Sequence, residues 1–212
     1  MSAVTPMKQE TAHESGGYIK GVALALVTQN KDDESQCRVK VSYPWHENPR
    51  DSYWARLAMP MAGASRGMVF IPEVGDEVLV AFEREDLRFP YILGALWNGK
   101  DKPPLANDDG KNDKRILTSR KKHHLLFDDG TRGVVELAHV KGRRITIDDN
   151  GVLITDENGN EVKIDSTSGA MTLKASGDLK ISAATISIEA SATLTLKASA
   201  TLTVQGALVN IN

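Results

Sequence analysis

The residues of this chain that could do chemistry fall into a few short clusters. His123-His124, with Asp128-Asp129 close behind, offers imidazoles and carboxylates to a metal ion. Adjacent side chains on a strand point to opposite faces, so both imidazoles do not converge on one ion; surface or packed histidines are expected. Asp108-Asp109-Gly110, Asp128-Asp129-Gly130 and Asp148-Asp149 recur every 20 residues and evoke calcium loops. The EF-hand spacing of oxygen ligands is absent, which leaves turns as the expectation. Glu83, Glu85 and Asp86 could pair carboxylates for hydrolysis, but nothing sets a nucleophile or an orienting group beside them, so they read as hairpin-loop charges. Arg120-Lys121-Lys122 and Arg143-Arg144 could meet a polyanion; solvated faces or contacts to a neighbouring protein explain them as well. The single cysteine, Cys37, has no disulfide partner in the chain and no metal-ligand neighbour, and reads as an ordinary strand residue. The expectation is therefore no catalytic residue, no cofactor and no metal site.

What must position these residues is an all-β framework. The 212 residues allow one or two domains, and 25% charged with 41% hydrophobic residues is ordinary for a globular protein. A net charge of −2 gives no electrostatic reason to expect a nucleic-acid partner. Met1 to Gly17 lacks a basic segment followed by an apolar one, and no 18 consecutive apolar residues occur, so synthesis in the cytosol without a signal peptide is expected.

The chain changes character halfway. All eight prolines lie at or before Pro104, and ten of eleven aromatics lie at or before Trp97. A segment with Trp45, Trp54, Phe70, Phe82, Tyr91 and Trp97 can build a conventional core. Its apolar or alternating runs, Tyr18 to Val27, Cys37 to Tyr43, Trp54 to Ala58, Glu77 to Phe82 and Tyr91 to Trp97, predict five short strands and a small barrel. A stretch rich in Gly, Pro, Asn and Asp follows from Asn98 to Lys114 and marks a boundary. The expected organisation is a flexible tail over 1–16, the barrel over 17–98, a linker and neck over 99–142, and a repeat region over 143–212.

From Gly169 the chain falls into units of seven to eight residues. Each carries an apolar-polar-apolar triplet: Met171/Leu173, Leu179/Ile181, Ile186/Ile188, Leu194/Leu196, Leu202/Val204 and Val209/Ile211. Looser precursors stand at Ile145/Ile147, Val152/Ile154 and Val162/Ile164, with turn signals at Asp148 to Gly151 and Glu157 to Asn160. Burying two aliphatic side chains contributes roughly 3 to 6 kcal/mol, whereas fixing eight backbones costs roughly 8 to 16 kcal/mol. A lone unit stays disordered, and units must stack. A single chain wound into a parallel β-helix and three chains intertwined, one strand each per layer, both satisfy the pattern. The intertwined trimer is preferred, because a single-chain coil would leave its end at Asn212 without the cap that solenoids carry. In that trimer the six triplets form the core.

Ile71-Pro72-Glu73-Val74-Gly75-Asp76-Glu77-Val78, with Asp86 and Pro90-Tyr91-Ile92-Leu93-Gly94-Ala95-Leu96-Trp97-Asn98, resembles the oligonucleotide/oligosaccharide-binding (OB) signature of phage baseplate assembly protein V and the valine-glycine repeat spikes of type VI secretion. Trp54 to Pro60, Gly63 and Gly67 fit the same pattern, and Lys114 to Arg120, His123-His124, Phe127 to Asp129 and the octads look like the neck and C-terminal β-helical needle of those spikes. The resemblance spans residues 17 to 212. It implies a homotrimer at the centre of a contractile-tail baseplate, driven through the target envelope on sheath contraction, with transient contact to that envelope. The chain has no room between Asn98 and Lys114 for a lysozyme domain and no large domain upstream of Tyr18, so a separate baseplate hub protein is expected at the OB end. No histidine follows His139, so a metal-bound apex is not expected; a PAAR-type tip protein would cap Asn210, Ile211 and Asn212.

Two other classes of protein compete with this reading. An OB-type binding module for oligonucleotide or oligosaccharide, with a single-chain solenoid tail, needs a basic groove with exposed aromatics. A polysaccharide-degrading enzyme on a β-helix needs clustered carboxylates, and Gly169 to Asn212 carries only Asp178 and Glu189.

Overall fold

A computed structural model describes residues 19–46 and 51–211. The expected tail over 1–16, the first expected strand residue Tyr18, and the expected tip contact Asn212 lie outside the described residues. The chain divides into two units, 1–106 and 107–212.

The first unit carries all five expected strands. β1 (Val22–Gln29), β2 (Lys40–Ser42) and β3 (Arg56–Leu57) are followed by a small hairpin of β4 (Ala62–Gly63) and β5 (Arg66–Gly67), then by β6 (Glu77–Phe82) and β7 (Pro90–Leu96). The sheet order is β2-β1-β6-β7-β3, antiparallel throughout except for the parallel pair β3 and β7. Its two ends are joined: the Val39 and Ala55 amides each donate to the other's carbonyl, at 3.0 and 2.7 Å. The result is a curled, OB-like barrel. Alternation explains it, since β6 reads half-buried, buried, half-buried, buried along Glu77 to Phe82. Val27, Val39, Val41, Val78, Val80, Phe82 and Ile92 fill the interior. Gly67, at φ +153°, lets the β4–β5 hairpin close, because a Cβ there would meet the Met61 carbonyl.

The Cys37 expectation is corrected. The Asp32 carboxylate accepts hydrogen bonds from the Glu34, Gln36 and Arg38 amides and from the Arg38 guanidinium. That Asx-type turn bends residues 32–38 out of the sheet, so Cys37 is exposed, at φ +56°, outside any strand.

The second unit is a seven-stranded antiparallel meander: β8 (Lys114–Thr118), β9 (His124–Asp128), β10 (Val134–Ala138), β11 (Arg144–Asp148), β12 (Gly151–Thr155), β13 (Glu161–Asp165) and β14 (Ala170–Lys174). The sheet starts at Lys114, inside the stretch expected to be neck, because Leu117, Leu125/Phe127 and Val135/Leu137 carry the same apolar spacing as the precursors downstream. The expected turn at Asp148 to Gly151 is present; Gly151 takes φ +136°, where a Cβ would run into the Ile164 carbonyl. Residues 175–211 form no strand within one chain.

Candidate functional site

The chemical clusters resolve into structural roles. His124 and His123 turn to opposite sides: the His124 Nε2 lies 3.0 Å from Glu136 Oε1, while His123 stacks on His139 with ring centroids 4.3 Å apart. The Nδ1 atoms of His123 and His139 each accept a backbone N–H, from Val140 and Lys141, at 3.2 Å. Partial burial, then the neighbouring His123, holds the His139 pKa below its ordinary value. Among the described residues no three His, Cys, Asp or Glu side chains are placed to hold a metal ion. The recurring aspartates make turns: Asp109, Asp128 and Asp148 each accept the amide two residues on. Glu83 accepts from the Tyr91 hydroxyl, and Asp86 is paired with Arg88 at 2.6 Å. These carboxylates are occupied.

What stands out instead is an uncovered apolar face on the meander. Directly opposed residues share a face, and the register sets two rows across the seven strands. One row is Arg115, Phe127, Val135, Ile147, Val152, Ile164 and Met171. The other is Leu117, Leu125, Leu137, Ile145, Ile154, Val162 and Leu173. Every position but Arg115 is apolar. Arg115 reaches off the row to Asp129 at 2.5 Å. The opposite face carries the Lys114–Asp128, Arg144–Glu136 and Lys163–Asp165 ion pairs and the His124–Glu136 contact.

A monomeric domain would bury such rows. Here Met171 is 74% exposed and Leu173 56%, and among the described residues after Ala106 the buried apolar side chain is Ala138. An open groove of about 640 Å³ runs along Leu137, Ile145, Ile154, Val162 and Leu173, bounded by Leu179. The expected core positions continue it. Leu179, Ile181, Ile186, Ile188, Leu194, Leu196, Leu202, Val204, Val209 and Ile211 are all exposed in one chain, up to 91% at Ile211. Asn210 is exposed beside them. Contiguous apolar surface on this scale marks an interaction site.

The octads and their precursors are legible in the sequence from residue 143 onward, whereas the apolar rows begin at β8. The signal that extends the rows upstream is the spacing of Leu125/Phe127 and Val135/Leu137, visible once pairs of apolar residues two apart are counted from Lys114.

Comparison with known proteins bears on both units differently. Residues 23–97 match the type VI secretion system/phage-baseplate injector OB domain. Over 107 residues the chain is 35% identical to the type VI secretion system spike protein VgrG3 of Vibrio cholerae, covering 47% of this chain and 10% of that one. Spike protein VgrG2a of Pseudomonas aeruginosa is 35% identical over 101 residues, 44% of this chain and 12% of its own. The actin cross-linking toxin VgrG1 of Vibrio cholerae is 31% identical over 107 residues, again 47% and 10%. The chain thus aligns with about a tenth of the length of these relatives.

Proposed function

Residues 23–97 belong to the type VI secretion system/phage-baseplate injector OB-domain family, and from that premise we propose that the chain is the structural central spike of a contractile baseplate. In this reading it is a homotrimer that transmits the force of sheath contraction and punctures the target envelope. The observation that carries the proposal is the pair of uncovered apolar rows on β8 to β14, continued by the octads.

Each large aliphatic side chain moved from water into a packed interior contributes roughly 1.5 to 3 kcal/mol. Among the described residues nothing of the same chain covers the rows, and the opposite face mixes ion pairs with Ile116, Leu126 and Leu153. Three chains around an axis cover them mutually: each unit offers two inward side chains, and the charged face with its cross-strand ion pairs faces solvent. The backbone of residues 175–211, which forms no strand within one chain, gains its ladder from neighbouring copies. The same packing stiffens the shaft along the direction of thrust. No bond is made or broken in this role, and no catalytic group is required.

The barrel would seat the spike on a hub protein, and Asn210, Ile211 and Asn212 would meet a PAAR-type tip protein. Made in the bacterial cytoplasm, the protein would assemble into a phage tail or phage-tail-like baseplate and touch the target envelope only during firing.

The test is Leu196→Asp against Lys197→Asp. Leu196→Asp places three like charges on the axis, where an unpaired buried charge is heavily penalised, and should give monomers and inactive particles. Lys197→Asp, on the outward position, should keep both trimer and activity. Trimers retained by Leu196→Asp would exclude the intertwined arrangement.

A further inference from the structure

The outer face of the barrel carries a second surface that neither the apolar rows nor the family match explains. Arg38, Lys40, Trp54, Arg56 and Tyr91 come from three separate stretches of sequence. The Val39–Ala55 bridge and the parallel pairing of Arg56 with Tyr91 bring them side by side. Lys40 Nζ lies 5.0 Å and the Arg38 guanidinium 5.5 Å from the Trp54 ring centroid; the Arg56 guanidinium lies 5.7 Å from that of Tyr91. Arg38 is neutralised by Asp32 at 2.8 Å and Glu34 at 3.1 Å. Among the described residues, Lys40 and Arg56 form no ion pair.

We propose that this face of β2, β3 and β7 docks an acidic protein surface of the baseplate, with Lys40 and Arg56 supplying the charge and Trp54 and Tyr91 the contact area. The proposal rests on the spike reading and names the chemistry by which the barrel would be seated. Trp, Tyr and Arg are the residues that dominate binding energy at protein interfaces. The surface is also held rigid before binding. Asp32, its side chain 3% exposed, ties the β1–β2 loop to Arg38, and the Tyr91 hydroxyl is anchored on Glu83. Preorganisation of this kind lowers the cost of association.

Other occupants fit less well. Stacking nucleobases need open ring faces, and here cations already sit over both rings. A second copy of the chain is better served by the barrel's other outward surface, where Val22, Leu24 and Leu26 are exposed beside Leu79, and where Leu93 is exposed on β7; contacts between identical subunits are the more apolar class.

The experiment replaces the wild-type copy in the producing cells with Lys40→Glu/Arg56→Glu and measures the amount of this chain per sheath in purified contractile particles. The expected result is a loss of at least about tenfold, with the purified variant keeping the wild-type oligomeric mass and thermal midpoint. Lys40→Gln/Arg56→Gln should lose less, since charge is removed and not reversed. Suppressors of the double Glu variant should change Asp or Glu to Lys or Arg in another baseplate protein. Normal incorporation of the double Glu variant would overturn the proposal. So would loss of its oligomeric mass, which would assign the face to contacts between copies, or binding of a 15-nucleotide oligo(dT) by the wild type that the variant abolishes. Absence of the wild-type chain itself from the particles would instead sink the spike reading.

Discussion

The barrel and the meander are both antiparallel β-structure with the same two-residue alternation, yet they place their apolar side chains on opposite sides of the solvent boundary. In the barrel, Val39, Val41, Val78 and Val80 are fully enclosed because the sheet curls until Val39 meets Ala55. In the meander the sheet never closes, and Ile145, Ile154 and Leu173 face water within one chain. The difference teaches what each unit needs. A closed sheet completes its own core; an open one with a full apolar face leaves a core unfinished, and on the proposed reading other chains supply the remainder.

Substitutions with charge should separate the two cases most sharply. Val80→Asp buries an unpaired carboxylate in the barrel and should unfold that unit at any protein concentration, read by loss of its near-ultraviolet circular dichroism. Ile154→Asp, in the middle of a row, should leave the barrel signal intact while abolishing the assembled mass. If Ile154→Asp assembled normally, the comparison would fail at its main point.

A smaller effect is expected at the β11–β12 turn. Gly151→Ala puts a Cβ against the Ile164 carbonyl at a backbone conformation that side chains rarely adopt. The cost should be about 1 to 3 kcal/mol, seen as faster amide exchange across β11, β12 and β13 with the barrel unchanged.

Acid should act on the meander in a defined window. The native His139 holds its proton less tightly than the unfolded chain does, chiefly through partial burial and then through His123. As pH falls through the ordinary histidine value of about 6.5, the unfolded state takes up the proton first and stability declines. The decline stops once the lower native pKa is passed. His139→Gln should flatten this part of the stability profile, and an unchanged slope would remove His139 as its source.

The smallest change is expected at Arg115 and Asp129, which are 58% and 68% exposed. Arg115→Ala should cost less than about 1 kcal/mol, diminishing further with added salt. A larger loss would mean that Arg115 belongs to the packed row after all.

Much of this was legible in the sequence for a simple reason: alternation is local. The β6 pattern in Glu77 to Phe82 and the triplets from Met171 onward state which side chains share a face. The strands of β8 to β10 escaped notice because the run Ser119 to His123 and the Asp-Gly turns around them read as neck. Cys37 was misplaced because the Asp32 turn that expels it depends on amides up to six residues away. The cation and aromatic face was invisible, since Lys40, Trp54 and Tyr91 are neighbours only after the barrel closes. A net charge of −2 sums over the whole chain and carries no trace of which cations the folded barrel sets side by side.

The most direct test of the central claim is the solution mass of the full-length protein by light scattering, paired with its resistance to SDS at room temperature. The account expects three times the 23.0 kDa chain mass, persisting in SDS. A monomer with a cooperatively folded second unit would contradict it, because that unit would then be stable with its apolar rows in water.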